Sequence, residues 1–390
     1  MQDLLITSRC RYSPAYHYGW LCPTRNLMVE TTRKKKLTST DAPPEPHSGG
    51  ASEIVQPRPS LKLLADYLNL HPSTISFVLN DVPGRSIPAA TRERIRLAAR
   101  KFNYRPSLIA RKLQGQRVNT IGILLPELGE GYHSQVLSGA GEFLMNQGYF
   151  YFTVHHRHRT ELVRAYPELL QSRGVEGILA IDTHLEAAGL LPTVLVAGHT
   201  ELSNVPNVVL DSRLGAELAL GHLYELGHRK IVYMRGQPFS ADTDARWEAT
   251  LDVARNLGLP VREELIIRLE QDSHSPEIGY PGIKKILAGG EHFTAVVCFN
   301  DVSAMGTIRA LHDGGLHVPQ DVSVIGYDDI QAAAYQVPNL TTIRQPLQKM
   351  GYIAAQTLLD KLLGKPTPPL LQVEPELIVR ESTSRIRRRR

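Results

Sequence analysis

Several polar side chains stand directly after apolar runs, where small hydroxylated molecules can be gripped. Tyr132 and His133 come after the run 120–125, Asp211 after 208–210, Asn300-Asp301 after 295–298 and Asp328 after 322–325, while Arg246 opens an amphipathic stretch. Carboxylates and amides accept hydrogen bonds, a guanidinium donates in a fixed fork, and an aromatic ring covers the apolar face of a sugar. Such a set suits binding of a polar ligand. Arg246 and Asp301 carry most of this expectation, although an aspartate at a helix start is also an ordinary N-cap.

Other chemistry finds less support. His155, His156 and His158 are close together, but no cysteine or paired carboxylate lies nearby, so they read as a solvated loop rather than a zinc site. Of the three cysteines, Cys10 and Cys22 lie near the N-terminus and Cys298 in an apolar run, which gives neither a disulfide framework nor a zinc motif and fits a reducing compartment. There is no glycine-rich phosphate loop, nucleophile elbow or zinc-protease helix. No catalytic residue, metal or cofactor is expected.

Charge is unevenly distributed. The chain carries a net +5, yet residues 60–117 alone hold 11 Lys and Arg against 3 Asp and Glu, a local +8. A basic patch on so short a segment favours a polyanion such as DNA, because neutralising phosphates releases counterions.

The elements that would position these groups follow from periodicity. Ser60 can cap a helix with Leu61, Leu64, Ala65 and Leu68 on one face; Pro72 suits the first turn of a second, with Ile75, Val78 and Leu79 inward. A third, 89–102, turns Ile95, Ala98, Ala99 and Phe102 inward and leaves Arg92, Arg94, Arg96 and Arg100 for phosphates. Three short helices around one core make a helix-turn-helix head. Residues 107–114 form at most two helical turns, too short to be stable alone.

Beyond 117 the rhythm becomes strand, helix, strand. Strands are expected at 120–125, 150–154, 177–181, 193–196, 208–210, 230–234, 295–298 and 322–325, with helices such as 213–226, 301–313 and 347–363 between them. Apolar strands alternating with amphipathic helices indicate an α/β body of two parallel-sheet units, and open sheets bind ligands beyond the carboxyl ends of their strands. At 390 residues with 42% hydrophobic content, more than one core is expected. Residues 1–59, with the run Arg33-Lys34-Lys35-Lys36, read as a disordered tail, as a DNA-touching arm, or as an upstream extension with Met28 the true start; 385–390 reads as a basic tail. No apolar stretch approaches the roughly 18–20 residues that span a bilayer, and no secretion signal is evident, so a cytoplasmic protein without a membrane partner is expected.

Certain words in the sequence are more specific. Leu64-Ala65-Asp66, Ser73-Thr74-Ile75-Ser76-Phe77-Val78-Leu79-Asn80, Thr91-Arg92-Glu93-Arg94-Ile95, Asn103-Tyr104-Arg105-Pro106 and Ala110-Arg111-Lys112-Leu113 occur in order, followed by Asn119-Thr120-Ile121-Gly122-Ile123, Glu225-Leu226-Gly227-His228, Asn300-Asp301, Val318-Pro319-Gln320-Asp321-Val322, Gly326-Tyr327-Asp328-Asp329, Thr341-Thr342-Ile343-Arg344-Gln345-Pro346 and Leu377-Ile378-Val379-Arg380-Glu381-Ser382-Thr383. Over about residues 60–384 the chain resembles the lactose-repressor (LacI/GalR) family of transcriptional regulators.

That resemblance implies a helix-turn-helix head at 60–105, a hinge helix and linker at 106–117, and a periplasmic-binding-protein-like body at 118–384 of two interleaved subdomains that binds an effector and dimerises. It implies a homodimeric regulator, usually a repressor, on a palindromic double-stranded DNA operator, controlled by a small molecule such as a sugar or related metabolite. Pro72, Ser73 and Phe77 take the positions that face base edges, and Thr74, Ser76 and Asn80 those that hold phosphates or cap the helix. Phe77 replaces the commoner arginine, so contact to a thymine methyl replaces a bidentate bond to guanine, unless its ring packs inward. Leu113 matches the hinge leucine that wedges into a minor-groove step, and Ala110 lets two hinge helices approach. Where many relatives carry Asp-Arg after the fourth strand, this chain has Ala197-Gly198, which removes a polar arm of the pocket. Alternatives are a sugar-binding receptor without regulatory role, an α/β enzyme acting on a sugar, and a regulator controlled by a partner protein.

Overall fold

The structure is a computed structural model that describes residues 60–80, 82, 84–104, 117–129, 131–198, 202–240, 242–270 and 275–386. The expectations for the tail 1–59, for most of the hinge and for 387–390 lie outside the described residues.

Three helices form the head: α1 (Leu61–Leu68), α2 (Pro72–Leu79) and α3 (Ala89–Lys101). Ser60 Oγ accepts from the Leu63 N–H at 3.2 Å and starts α1, and Asn69 ends it in the left-handed region at φ 52. His71, which the sequence reading took only as an interruption, caps α2 by accepting from the Ser73 N–H at 3.3 Å, with Pro72 in the first turn. Leu64, Ile75 and Ile95, all fully buried, meet at the centre with Ala65, Leu68, Val78, Ala98 and Ala99. Each such large apolar side chain contributes about 1.5–3 kcal/mol, which is what lets helices of one or two turns hold their shape.

The body contains two six-stranded sheets. The strands are β1 (Thr120–Leu125), β2 (Phe150–His155), β3 (Gly177–Ile181), β4 (Thr193–Val196), β5 (Asn207–Leu210), β6 (Ile231–Arg235), β7 (Ile266–Arg268), β8 (Ala295–Val297), β9 (Ser323–Asp328), β10 (Thr341–Arg344), β11 (Leu370–Val373) and β12 (Glu376–Ile378). The first sheet runs β11-β5-β4-β3-β1-β2 and is parallel throughout; the second runs β12-β10-β9-β8-β6-β7 and is parallel except where β12 meets β10. Every residue of β1 is buried, as a central strand covered on both faces must be. Sequence periodicity located eight of these strands and missed β7, β10, β11 and β12, which are three or four residues long and include three of the four sheet edges.

Helices α4 (Tyr132–Asn146), α5 (Thr160–Ser172), α6 (Ser212–Glu225), α7 (Thr243–Asn256), α8 (Tyr280–Ala288), α9 (Asp301–Asp313) and α10 (Leu347–Leu362) cover the sheets. The chain changes sheet between β5 and β6, between β10 and β11, and again between β11 and β12. The middle change brings α10 back onto the first lobe beside α4. A Cβ on Gly139 would stand 1.9 Å from the Gln348 carbonyl oxygen, and one on Gly351 1.9 Å from that of Val136, so these two helices touch backbone to backbone.

Candidate functional site: a cleft at the carboxyl ends of the strands

Polar side chains from both lobes meet around a small cavity of about 40 Å³. Tyr132 and His133 open α4 just after β1, and Asp182 follows β3. From the second lobe come Asp242 and Arg246 at the start of α7, Phe299 and Asn300 after β8, and Asp328 at the end of β9. This is the ligand position expected of open α/β sheets. The backbone is bent to suit it: Asp182 has φ 43, Ala197 φ 52, His158 φ 53 and Asp328 φ 106, all beyond strand ends or at them. Non-glycine residues there cost about 1–3 kcal/mol each and concentrate at functional sites.

Arg246 is the centre of the arrangement. Its Nη2 lies 2.6 Å from Asp242 Oδ2 and 4.0 Å from Asp328 Oδ1, and its Nη1 donates to the Phe299 carbonyl at 3.0 Å. The guanidinium carbon stands 4.1 Å from the Tyr327 ring centre and 4.9 Å from that of Phe299. Burial works against its charge, but Asp242, Tyr327 and Asp328 outweigh that and hold it firmly protonated. Asp328 feels the converse: burial pushes its pKa up to about 6, against the pull of Arg246 and the 2.6 Å bond from Gln345 Nε2. Opposite, His133 Nε2 donates to Asp182 Oδ2 at 3.2 Å. The Tyr132 hydroxyl is buried without a hydrogen-bond partner among the described residues, and its pKa is raised by burial and then by Asp242 and Asp182. Fixed donors, acceptors and ring faces converge here, which is how a protein recognises hydroxyls and ring edges.

Two expected site residues sit elsewhere. Asp301 is fully buried and both its oxygens are used, Oδ1 by Thr342 Oγ1 at 2.6 Å and Oδ2 by the Ile330 N–H at 2.8 Å. Burial and the nearby Asp328 raise its pKa. It braces α9 against β10 and does not line the cavity. Asp211 accepts from the Leu214 N–H at 2.8 Å and caps α6 at the first change of lobe. The histidine run is also corrected. His156 is buried rather than solvated, accepts from the His158 N–H at 3.1 Å and donates through Nε2 to Thr183 Oγ1 at 2.9 Å, and burial followed by His158 pushes its pKa down to about 4. At Ala197-Gly198 the peptide groups turn inward: Asn207 bonds the Gly198 N–H at 3.0 Å and its carbonyl at 2.7 Å.

The likeness to other proteins agrees with this architecture. Residues 220–383 match the periplasmic binding protein-like domain family. The HTH-type transcriptional repressor PurR of Yersinia pestis (strain Pestoides F) is 31% identical over 335 residues, covering 83% of this chain and 97% of that protein. The chain belongs to the LacI/GalR family of transcriptional regulators. Among solved structures, the Lac repressor dimer bound to operator and the anti-inducer ONPF superposes with a TM-score of 0.75 at 25% identity, over 84% of this chain and 100% of that one. A LacI-type regulator from Alkaliphilus metalliredigens QYMF complexed with D-xylulofuranose gives 0.61 at 29% identity, over 68% and 99%.

In this LacI/GalR regulator α2 and its C-cap carry six of the eight positions expected to meet DNA. Ser73 Oγ lies 2.8 Å from His71 Nδ1, Ser76 Oγ accepts from Asn80 Nδ2 at 3.1 Å, and Asn80 ends the helix. Pro72 and Thr74 are half-buried in its first turn. Phe77 is half-buried but lies outside the head's core cluster, with the Arg85 guanidinium 4.6 Å above its ring. Arg92 leaves the phosphate set, because it donates to the Ile87 and Arg85 carbonyls at 3.2 and 3.0 Å and pins the loop before α3. Ala110 and Leu113 lie outside the described residues. Asp182, Asp242, His158 and Phe239 line the cavity unforeseen. Asp182 had the signal used for Asp328, a carboxylate after an apolar run, and Asp242 that of an acid four residues before an arginine.

Proposed function

We propose that this regulator represses transcription as a homodimer on a palindromic operator, and that a small polar ligand, a sugar or related metabolite, controls it by binding around Arg246. The observation that carries the reading is the Arg246 guanidinium held between Asp242 and Asp328 under two aromatic rings, where the carboxyl ends of strands from both lobes face each other. Tyr132, His133, Asp182, Asn300 and Asp328 complete the effector site. The operator complex of the Lac repressor dimer and the D-xylulofuranose complex support the dimer and the ligand class. The reading is of a cytoplasmic regulator that acts by binding rather than catalysis; the described residues include no helix long and apolar enough to cross a membrane.

The head, 60–105, reads DNA. Pro72, Ser73 and Phe77 face base edges, Thr74, Ser76 and Asn80 serve the phosphates, and the hinge, 106–117, lays Leu113 into the minor groove while Ala110 allows two copies to pack. Ligand binding between the lobes of 118–384 then shifts operator affinity by a coupling of about 1–3 kcal/mol. The test is operator selection from a random duplex pool, followed by titration of the selected site with candidate sugars. Arg246→Ala is expected to keep operator affinity and lose the ligand response, which at that coupling is about 5–150-fold. Failure of the intact chain to select any duplex sequence would overturn the reading.

A further inference from the structure

Helix α2 contains no arginine, yet the structure lays one against it. Arg85, in the loop between α2 and α3, holds its guanidinium carbon 4.6 Å from the centre of the Phe77 ring. Phe77 stands one turn on from Ser73, on the face of α2 expected to meet base edges, and its ring lies outside the core of the head. A ring face covered by a cation is not free for a thymine methyl. What the ring offers instead is a shelf.

The loop that carries Arg85 is fastened on both sides of it. The Val82 N–H donates to the Phe77 carbonyl at 3.0 Å, and Ile87 packs against the core of the head. Gly84 turns the chain between them in the left-handed region at φ 76, where a β-carbon would strain the backbone. Arg92 of α3 donates to the carbonyls of Arg85 and Ile87 at 3.0 and 3.2 Å, so the backbone of Arg85 is itself pinned. The side chain is exposed, and its guanidinium has no hydrogen-bond or ion-pair partner among the described residues. Attraction to the ring face uses none of its N–H groups. An exposed arginine otherwise spreads over many rotamers, and a ring that favours one of them removes part of the entropy cost of binding. The result is a planar fork of free donors, held in place on the helix that carries the base-facing positions.

We propose that Arg85 is a base-reading residue of this head, bonding O6 and N7 of one guanine in each half-site, and that Phe77 is a positioning residue that acts through it. This rests on the reading above that the head binds DNA, and it names the side chain that sets one base of the operator. Guanine is the base because its two adjacent major-groove acceptors match the guanidinium fork. The arginine that α2 lacks is thus supplied by the following loop, with Phe77 as its support.

The experiment is selection of an operator by the full chain from a random duplex pool, followed by fluorescence anisotropy with that operator and with duplexes changed at every position in turn, at several salt concentrations. Arg85→Ala is expected to weaken binding of the selected operator by about 5–150-fold and to abolish a guanine preference at one position in each half-site, with the salt dependence unchanged. Phe77→Leu keeps an apolar side chain without a ring. It is expected to lose the same preference, with no further loss in the double variant, whereas Phe77→Tyr keeps the ring and the preference. Arg85 is exposed and Phe77 lies outside the core, so the thermal midpoint is expected to hold in all of them. If Arg85→Ala weakens every duplex equally and reduces the salt slope by about one, Arg85 holds a phosphate and the proposal falls. It falls too if every base preference survives Arg85→Ala. If Phe77→Leu retains the preference that Arg85→Ala loses, or the two substitutions affect different bases, the positioning role of Phe77 falls. In each of these cases the chain still selects an operator and the DNA-binding reading stands. If the intact chain selects no duplex, that reading falls and this inference with it.

Discussion

Asp328 shows how one side chain serves two masters: it faces the small cavity between the lobes beside Arg246, and it accepts from Gln345, which lies at the second change of lobe. With its pKa near 6, protonation below that value removes an acceptor from the cavity. Ligand affinity measured between pH 5 and 8 is therefore expected to fall below about 6, and in Asp328→Asn to be weaker and free of that inflection. His156 makes the opposite kind of statement about folding. Its folded pKa of about 4 lies below the ordinary 6.5, so the neutral ring stabilises the fold above 6.5 and that contribution is lost as the pH falls towards 4. Urea melts at pH 7.5 and 5 are expected to lose less stability in His156→Gln than in the parent chain. The placing of Arg246 and Asp328 at the cavity was legible from sequence because charged groups directly after an apolar run, or opening a helix, come to the carboxyl ends of the strands in an open α/β sheet. Asp301 misled for the same reason: its burial depends on Thr342 arriving from a strand 41 residues later, which no local pattern records.

The elements behaved according to their burial and composition. The amphipathic helices of the head and the fully buried strands declare themselves through periodicity, as the buried run of β1 does. β10 opens on two threonines and β11 and β12 are only partly buried, so none offers a clear apolar run, and β11 and β12 take their places only because a distant strand accepts them as edges. The glycines of the helices offer a sharper test, since the same substitution should have opposite signs. Helix propensity favours alanine over glycine by about 1 kcal/mol. In Gly221→Ala of α6, where a Cβ meets nothing within 4 Å, that gain should appear in full. In Gly351→Ala of α10 the new carbon meets the Val136 carbonyl, and overpacking of about 1–3 kcal/mol or more reverses the sign. Thermal melts of the two variants are expected to move in opposite directions.

At the scale of the molecule, the fold class followed from the alternation of strands and helices, whereas the threading between lobes came only with the family resemblance. Periodicity is silent on it because a strand carries no mark of the sheet it joins. The changes of lobe near 211, 345 and 375 make the first lobe depend on chain that follows the second. A chain stopped after 345 lacks α10 and β11, which leaves the backbone-tight face of α4 and the outer edge of β5 bare. Size exclusion and melting are expected to find it aggregated and without a cooperative transition, while a chain stopped after 386 melts cooperatively. There is a practical corollary for anyone wishing to recombine regulators of this kind. The head is one uninterrupted stretch and can be traded at a single seam, but a sensor lobe has to be spliced at three places at once, so new sensing is obtained more simply by reshaping the cleft where it stands.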